Sequence, residues 1–346
     1  MSFRYIGSKA RVVDAITQRI GVPAGPARFV DLFCGTGVVA EAAADLGWNV
    51  HLNDHLQSAV VIAAARLIGR DQAPFQILGG YQKALEALNG LKPMKGFLWR
   101  EYSPASTQHL GFERRYFSEA NAGRIDAIRR RIREWSEAGM LRREEELLLI
   151  ADLLSATNRV ANIAGTYGCF LSKWQQQANE RIELRARTLR TKPCDVTTSV
   201  TDADKVRTER DDLVYLDPPY TKRQYAAYYH IPETIALGDT PTVEGVAGLR
   251  PWRNKASEFC YKDRALPALV KVIKGVGSSR VLLSYSEDGH IPIHALTEAL
   301  SKIGTVSPAR LMDIGRYRPN KAASKGAASV GEYLIEVLAN EMRAAA

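Results

Sequence analysis

Residues 29 to 42 read FVDLFCGTGVVAEA. An apolar run, Phe29 to Phe33, stops at Gly35-Thr36-Gly37, and a helix-forming stretch follows from about 38 to 46. Glycine lets a backbone turn sharply and approach a ligand closely. A helix that starts directly after such a turn offers unpaired N–H groups at its N-terminus. The stretch therefore reads as strand, tight turn and helix. The pattern recurs: Val50 to Asp54, Val214 to Asp217 and Arg280 to Tyr285 are further short strands, separated by helical patterns. Such alternation implies an α/β fold with a parallel sheet. Nearer the C-terminus, Ala309 to Ile314 and Glu332 to Leu338 are two strands with no helix between them. The basic stretch RYRPNKAASKGAAS joins them, so they are expected to pair antiparallel.

From about 76 to 192 the strand signal fades. Ser118 reads as the N-cap of a helix through AGRIDAIRRRIREW, with Ile125, Ile128, Ile132 and Trp135 at helical spacing and Gly139 as its stop. A second helix is expected over roughly 142 to 160. The expected division is a cofactor-binding half over 1–75, a helical insert over 76–192 and a second catalytic half over 193–346. Residues 76 to 195 carry 20 lysines and arginines against 14 acids, which is most of the formal charge of +9 of the 346-residue chain. That excess points to a polyanionic partner.

Several classes are excluded. No apolar run approaches the roughly 20 residues of a membrane span, and the first residues lack the apolar core of a signal peptide. The four cysteines are scattered without a CxxC pair, and His290 and His294 are not part of an HExxH motif. The expectation is a soluble, reduced, cytoplasmic protein with no metal site.

Residues 213 to 220, LVYLDPPY, end a strand on a carboxylate and follow it with two prolines and a tyrosine. Pro218 and Pro219 have φ pinned near −65° and carry no N–H, and each pushes the preceding residue into an extended conformation. The Asp217 side chain and the Asp217 and Pro218 carbonyls are thus aimed as fixed acceptors. Beside the Tyr220 ring they suit a planar group bearing an NH2, a nucleobase. Asp54 ends its strand 17 residues after Gly37, where nucleoside-binding sheets place an acid for ribose hydroxyls. Position 40 is alanine, so the third glycine of a pyrophosphate turn is missing. A cofactor with an adenosine and no phosphates fits better, and S-adenosyl-L-methionine is such a cofactor.

In order along the chain stand Arg4-Tyr5-Ile6-Gly7-Ser8-Lys9, Phe33-Cys34-Gly35-Thr36-Gly37, Asp54, Asn158-Arg159 with Tyr167-Gly168, Asp217-Pro218-Pro219-Tyr220 and Tyr228-Tyr229-His230. Together they resemble the D12-class, Dam-like adenine-N6 DNA methyltransferases of the alpha group. Ser8 departs from the family's second glycine. The resemblance implies a class I S-adenosylmethionine-dependent methyltransferase: Rossmann-like, with a mixed seven-stranded sheet, a C-terminal antiparallel strand and an inserted, mainly helical target-recognition domain. It implies that Tyr5, Lys9, Phe33, Asp54 and Asp217 contact the cofactor, alongside Gly35 and Gly37. Asp202 is a candidate acid for the adenine end, against the reading of a surface acid.

The catalytic expectation is Asp217, Pro218, Pro219 and Tyr220 acting on an adenine flipped out of duplex DNA. Tyr225, Tyr229 and His230 are expected in the same pocket, with ordinary packing as the rival reading. Between Arg114 and Arg133 lie seven arginines and two acids. Arg114, Arg115, Arg124, Arg129, Arg130 and Arg133 are expected phosphate contacts, against the reading of a solvated face. Arg316 and Arg318 open a second basic loop. The expected partner is double-stranded DNA, with a separate restriction endonuclease in a restriction-modification system; an orphan or phage methylase is the other setting. A monomer, bacterial or phage in origin and associated with the nucleoid, is expected. The rival functions are methylation of cytosine N4 or of RNA, and a DNA-binding scaffold with a decayed methyltransferase fold.

Overall fold

The computed structural model describes residues 3–192, 194–315 and 329–339. They fall into two compact units, each assembled from separate stretches of chain. One comprises Ser8–His55, Cys194–Gln224 and Ala256–Ala346 and holds the sheet. Its strands are β1 Arg28–Asp31, β2 Asn49–Asp54, β3 Val196–Val200, β4 Leu213–Leu216, β5 Arg280–Ser286, β6 Gly304–Gly315 and β7 Ser329–Ala339. They lie in the order β3-β2-β1-β4-β5-β7-β6. β1 to β5 pair in parallel, while β7 runs antiparallel between β5 and β6. This is the mixed seven-stranded sheet that the sequence implied.

The strands read as they do because of where they lie. β4 is buried at every residue, as a central parallel strand covered on both faces must be. Val30, Leu32, Val214, Leu216, Leu283 and Ile335 form its core with the helices Ala265–Gly275 and Ile293–Ser301. Each such side chain contributes about 1.5–3 kcal/mol on burial. β3 escaped the sequence reading. Its residues VTTSV are half-exposed, as an edge strand allows, so no apolar run marks it. The strand order reverses between β1 and β4, and in open α/β sheets ligands bind at the carboxyl ends flanking that point.

The other unit comprises Met1–Gly7, Leu56–Pro193 and Tyr225–Lys255 and is helical. The Ser118 hydroxyl accepts from Asn121 N–H and caps the helix Glu119–Glu137, whose Ile125, Ile128 and Ile132 are buried. Gly139 takes a φ of 67° just past its end. The helix Arg143–Val160 follows. This unit begins earlier than residue 76. The helix Gln57–Leu67, buried on nearly every side, packs on Arg143–Val160 and on His230–Leu237. A buried carboxylate fastens it: Glu233 accepts from Gln57 N–H and Ser58 N–H at 3.2 and 2.9 Å and faces Lys255 Nζ at 3.0 Å. Among the described residues no helix is long and apolar enough to cross a membrane.

Candidate active site

Asp31 ends β1, and Asp217 follows directly on its neighbour β4. Gly35 and Gly37 turn the chain after β1 with φ of 50° and 75°, a region in which a Cβ is strained. The turn brings Gly35 N–H to Asp54 Oδ2 at 3.1 Å. The glycines and the acid of the next strand thus meet, as their spacing implied. Asn53 steadies the junction, its amide donating to the Leu32 and Thr201 carbonyls at 3.1 Å each. Phe33 packs edge-on against Phe259, ring centroids 5.3 Å apart.

Lys9 lies in a short 3-10 turn, Lys9–Arg11, ahead of the helix Val13–Ile20. It is not a solvated lysine: only 5% is exposed, and Nζ stands 2.8 Å from Asp217 Oδ1. It also sits over the Tyr220 ring, 5.3 Å from the centroid. Burial works against the ammonium, but Asp217, Tyr220 and Glu332 outweigh it and hold the lysine more firmly protonated than usual. Burial pushes the Asp217 carboxyl above its ordinary value, with Lys9 pulling the other way. Tyr220 meets Tyr285 edge-on at 5.8 Å, and burial raises its phenol to about 12. Asp202 lies just past β3, 43% exposed, held by His55 Nε2 at 2.6 Å and Lys205 Nζ at 2.5 Å.

Two acids here were missed in the sequence. Asp31 is 2% exposed and accepts from Phe33 N–H at 3.3 Å; burial raises its carboxyl well above the usual range. Glu332, in β7, brings Oε2 within 3.8 Å of Lys9 Nζ. The available signal was an acid embedded in an apolar strand, RFVDLF in one case and EYLIEVL in the other.

The profile of the D12 class N6 adenine-specific DNA methyltransferases matches residues 5–283. The chain belongs to this family. Among curated relatives, the Type II methyltransferase M.FokI of Planomicrobium okeanokoites is 32% identical over 343 residues, covering 96% of this chain and 52% of that protein. The modification methylase StsI of Streptococcus sanguinis is 30% identical over 330 residues, 93% of this chain and 49% of that protein. The Type II methyltransferase M.NlaIII of Neisseria lactamica is 29% identical over 337 residues, 95% of this chain and 97% of that protein. The chain thus spans about half the length of the first two and nearly all of the third.

The family's remaining motif residues lie in the helical unit. Tyr5 stacks on Tyr229 with ring centroids 4.6 Å apart and meets Tyr225 at 5.6 Å. Tyr229 Oη accepts from Ile6 N–H at 2.7 Å, and Tyr225 Oη donates to the Ile6 carbonyl at 3.1 Å. Tyr5 and the two tyrosines, expected in separate roles, therefore form one cluster. His230 is a correction. It is wholly buried, its Nε2 bonds the Tyr167 carbonyl at 2.9 Å, and burial lowers its pKa to about 3. It is a neutral core residue with no exposed surface.

The arginines divide. Arg114 is a second correction: 2% exposed, it is held by Glu101 Oε2 at 2.8 Å and the Gly245 and Val246 carbonyls at 2.9 and 3.1 Å. Arg129 gives its Nε to the Ile235 carbonyl at 2.8 Å. Arg124 donates to the Leu91 carbonyl at 2.9 Å, and Arg115 to the Ser172 carbonyl at 2.7 Å. Arg130 and Arg133 are exposed, Arg130 in a surface pair with Glu134. Arg316 and Arg318 lie outside the described residues.

Proposed function

We propose that this chain is a site-specific DNA methyltransferase that transfers a methyl group from S-adenosyl-L-methionine to N6 of adenine in duplex DNA. The observation that carries this reading is the Asp217-Pro218-Pro219-Tyr220 loop at the carboxyl end of β4, its partly buried carboxylate gripped by Lys9 beside the glycine turn and Asp54. The site suits this cofactor: Asp54 at the tip of β2 for ribose hydroxyls, a two-glycine turn without a phosphate cradle, and Phe33 and Lys9 nearby. When bound, the cofactor supplies a methyl group activated on a sulfonium.

The chain's own residues prepare the amine. The N6 lone pair of adenine is delocalised into the ring and is a poor nucleophile. Asp217 and the Pro218 carbonyl each accept one N–H, which favours a pyramidal nitrogen with its lone pair localised. As nitrogen gains positive charge, the same acceptors stabilise it; preorganised contacts of this kind are worth about 3 kcal/mol each. The surplus proton then leaves without a strong base. The Tyr220 ring supports the extruded base by stacking, worth roughly 1–3 kcal/mol.

We further read the setting as modification of DNA alongside a separate endonuclease, by a cytoplasmic monomer of bacterial or phage origin. The names of the relatives, Type II methyltransferases and a modification methylase, support the modification setting. Mass spectrometry of nucleosides from duplex DNA, and in parallel from RNA, each incubated with the protein and S-adenosylmethionine, tests the activity. N6-methyladenine is expected; N4-methylcytosine, a methylated ribonucleoside from RNA alone, or no product would each replace the reading.

A further inference from the structure

Lys9 carries its charge between two carboxylates, Asp217 Oδ1 at 2.8 Å and Glu332 Oε2 at 3.8 Å. Asp217 follows β4. Glu332 lies in β7, beyond the residues that the family profile covers. It reaches this place because β7 runs antiparallel to β5: its first residues arrive where β5 ends, with Ser286 paired opposite Glu332. Glu332 is 7% exposed, and its Oε2, like Asp217 Oδ1, is buried with no hydrogen bond beyond its charge contact with Lys9.

The proposed chemistry makes two demands on Asp217. It must hold Lys9, and it must accept a hydrogen bond from the target amine. Turning toward the amine weakens its grip on the ammonium, and a buried charge that loses its partner is strongly destabilising. With a single counter-ion, Lys9 would hold Asp217 back. Lysine is a point charge on a flexible four-carbon stem, so an ångström-scale swing brings it onto a second carboxylate.

We propose that Glu332 is a positioning residue, a reserve counter-ion that takes up Lys9 as Asp217 turns to the target amine. This rests on the functional reading above, but its first test does not. In the apo protein, chemical unfolding is measured for Asp217→Asn, Glu332→Gln and the double variant, each with and without Lys9→Met. Either single change leaves Lys9 one anion, and the double change leaves none. The double variant is therefore expected to lower the unfolding midpoint by clearly more than the sum of the singles, and Lys9→Met is expected to erase that excess. Additive shifts overturn the proposal. In single-turnover methylation, Glu332→Gln is expected to slow the transfer step at least tenfold, with affinities for S-adenosylmethionine and duplex within twofold of the wild type. Glu332→Asp, which keeps the charge, is expected to fall closer to the wild type. An unslowed Glu332→Gln, or a slower Glu332→Asp than Glu332→Gln, overturns it. If the wild-type chain methylates no DNA, the functional reading fails, and the unfolding cycle still decides whether Glu332 and Asp217 share Lys9.

Discussion

Asp217 is under opposing influences: burial favours its protonated form and Lys9 its ionised form. Two prolines fix the backbone that carries the acid, so that only its side chain can turn. Replacing it by alanine removes an acceptor and leaves Lys9 to Glu332. Asp217→Ala is expected to slow methyl transfer about 100-fold or more, as loss of one preorganised contact does, while duplex binding stays within threefold. A variant that keeps a tenth of the wild-type rate would show that Asp217 is not the key acceptor. Asp54 is assigned to the cofactor instead, on the reading proposed above. Asp54→Ala is expected to weaken S-adenosylmethionine affinity about tenfold by calorimetry, the scale of one or two lost hydrogen bonds. Unchanged affinity would remove Asp54 from the cofactor site.

Elements show which charges are available to a partner. On the helix Glu119–Glu137, isoleucines at helical spacing turn inward, and Arg124 and Arg129 spend hydrogen bonds on carbonyls of neighbouring segments. Arg130 and Arg133 remain exposed. Neutralising both is expected to reduce the salt slope of DNA binding by about two, equally on cognate and random duplexes, because phosphates carry no sequence information. A loss confined to the cognate duplex would make them base readers. The same helix supports its neighbour through Asp126, which accepts from Leu98 and Trp99 N–H at 3.0 and 2.8 Å and caps the helix Phe97–Tyr102. Burial, only partly offset by those N–H groups, raises the Asp126 carboxyl to about 6. A raised acid favours the folded state below its unfolded value near 4, and that contribution is lost as pH climbs through 6. Wild-type stability is thus expected to fall by about 2 kcal/mol between pH 4 and 7 relative to Asp126→Asn. Parallel pH curves in denaturant unfolding would contradict this.

At the scale of the whole molecule, the chain divides into two compact units. The sheet unit gathers Lys9, the glycine turn, Asp54, Asp217 and Glu332. The helical unit carries much of the excess positive charge. We assign target recognition to residues 76 to 192 within it. Exchanging that segment for the equivalent one of a relative with a different target is expected to transfer the methylated word. A folded, active chimera that still modifies the original word would move recognition elsewhere, to the basic segment around Arg316 and Arg318 first.

The sequence by itself determined the parts that obey local rules. Proline and glycine restrict the backbone within a residue or two, so DPPY and the Gly35–Gly37 turn could be read directly. Strand–helix alternation gave the parallel sheet, and helical spacing gave the Ser118-capped helix. Tertiary structure decided whatever depends on distant neighbours. Arg114 and Arg130 look alike in sequence, but the first meets Glu101 and two carbonyls in the interior and the second meets solvent. His230 reads as a pocket residue until burial removes its charge. β3 was hidden because an edge strand needs no apolar run. Glu332 stands more than 300 residues from Lys9 in the chain; only the antiparallel return of β7 brings the two charges together, and no local pattern records that pairing.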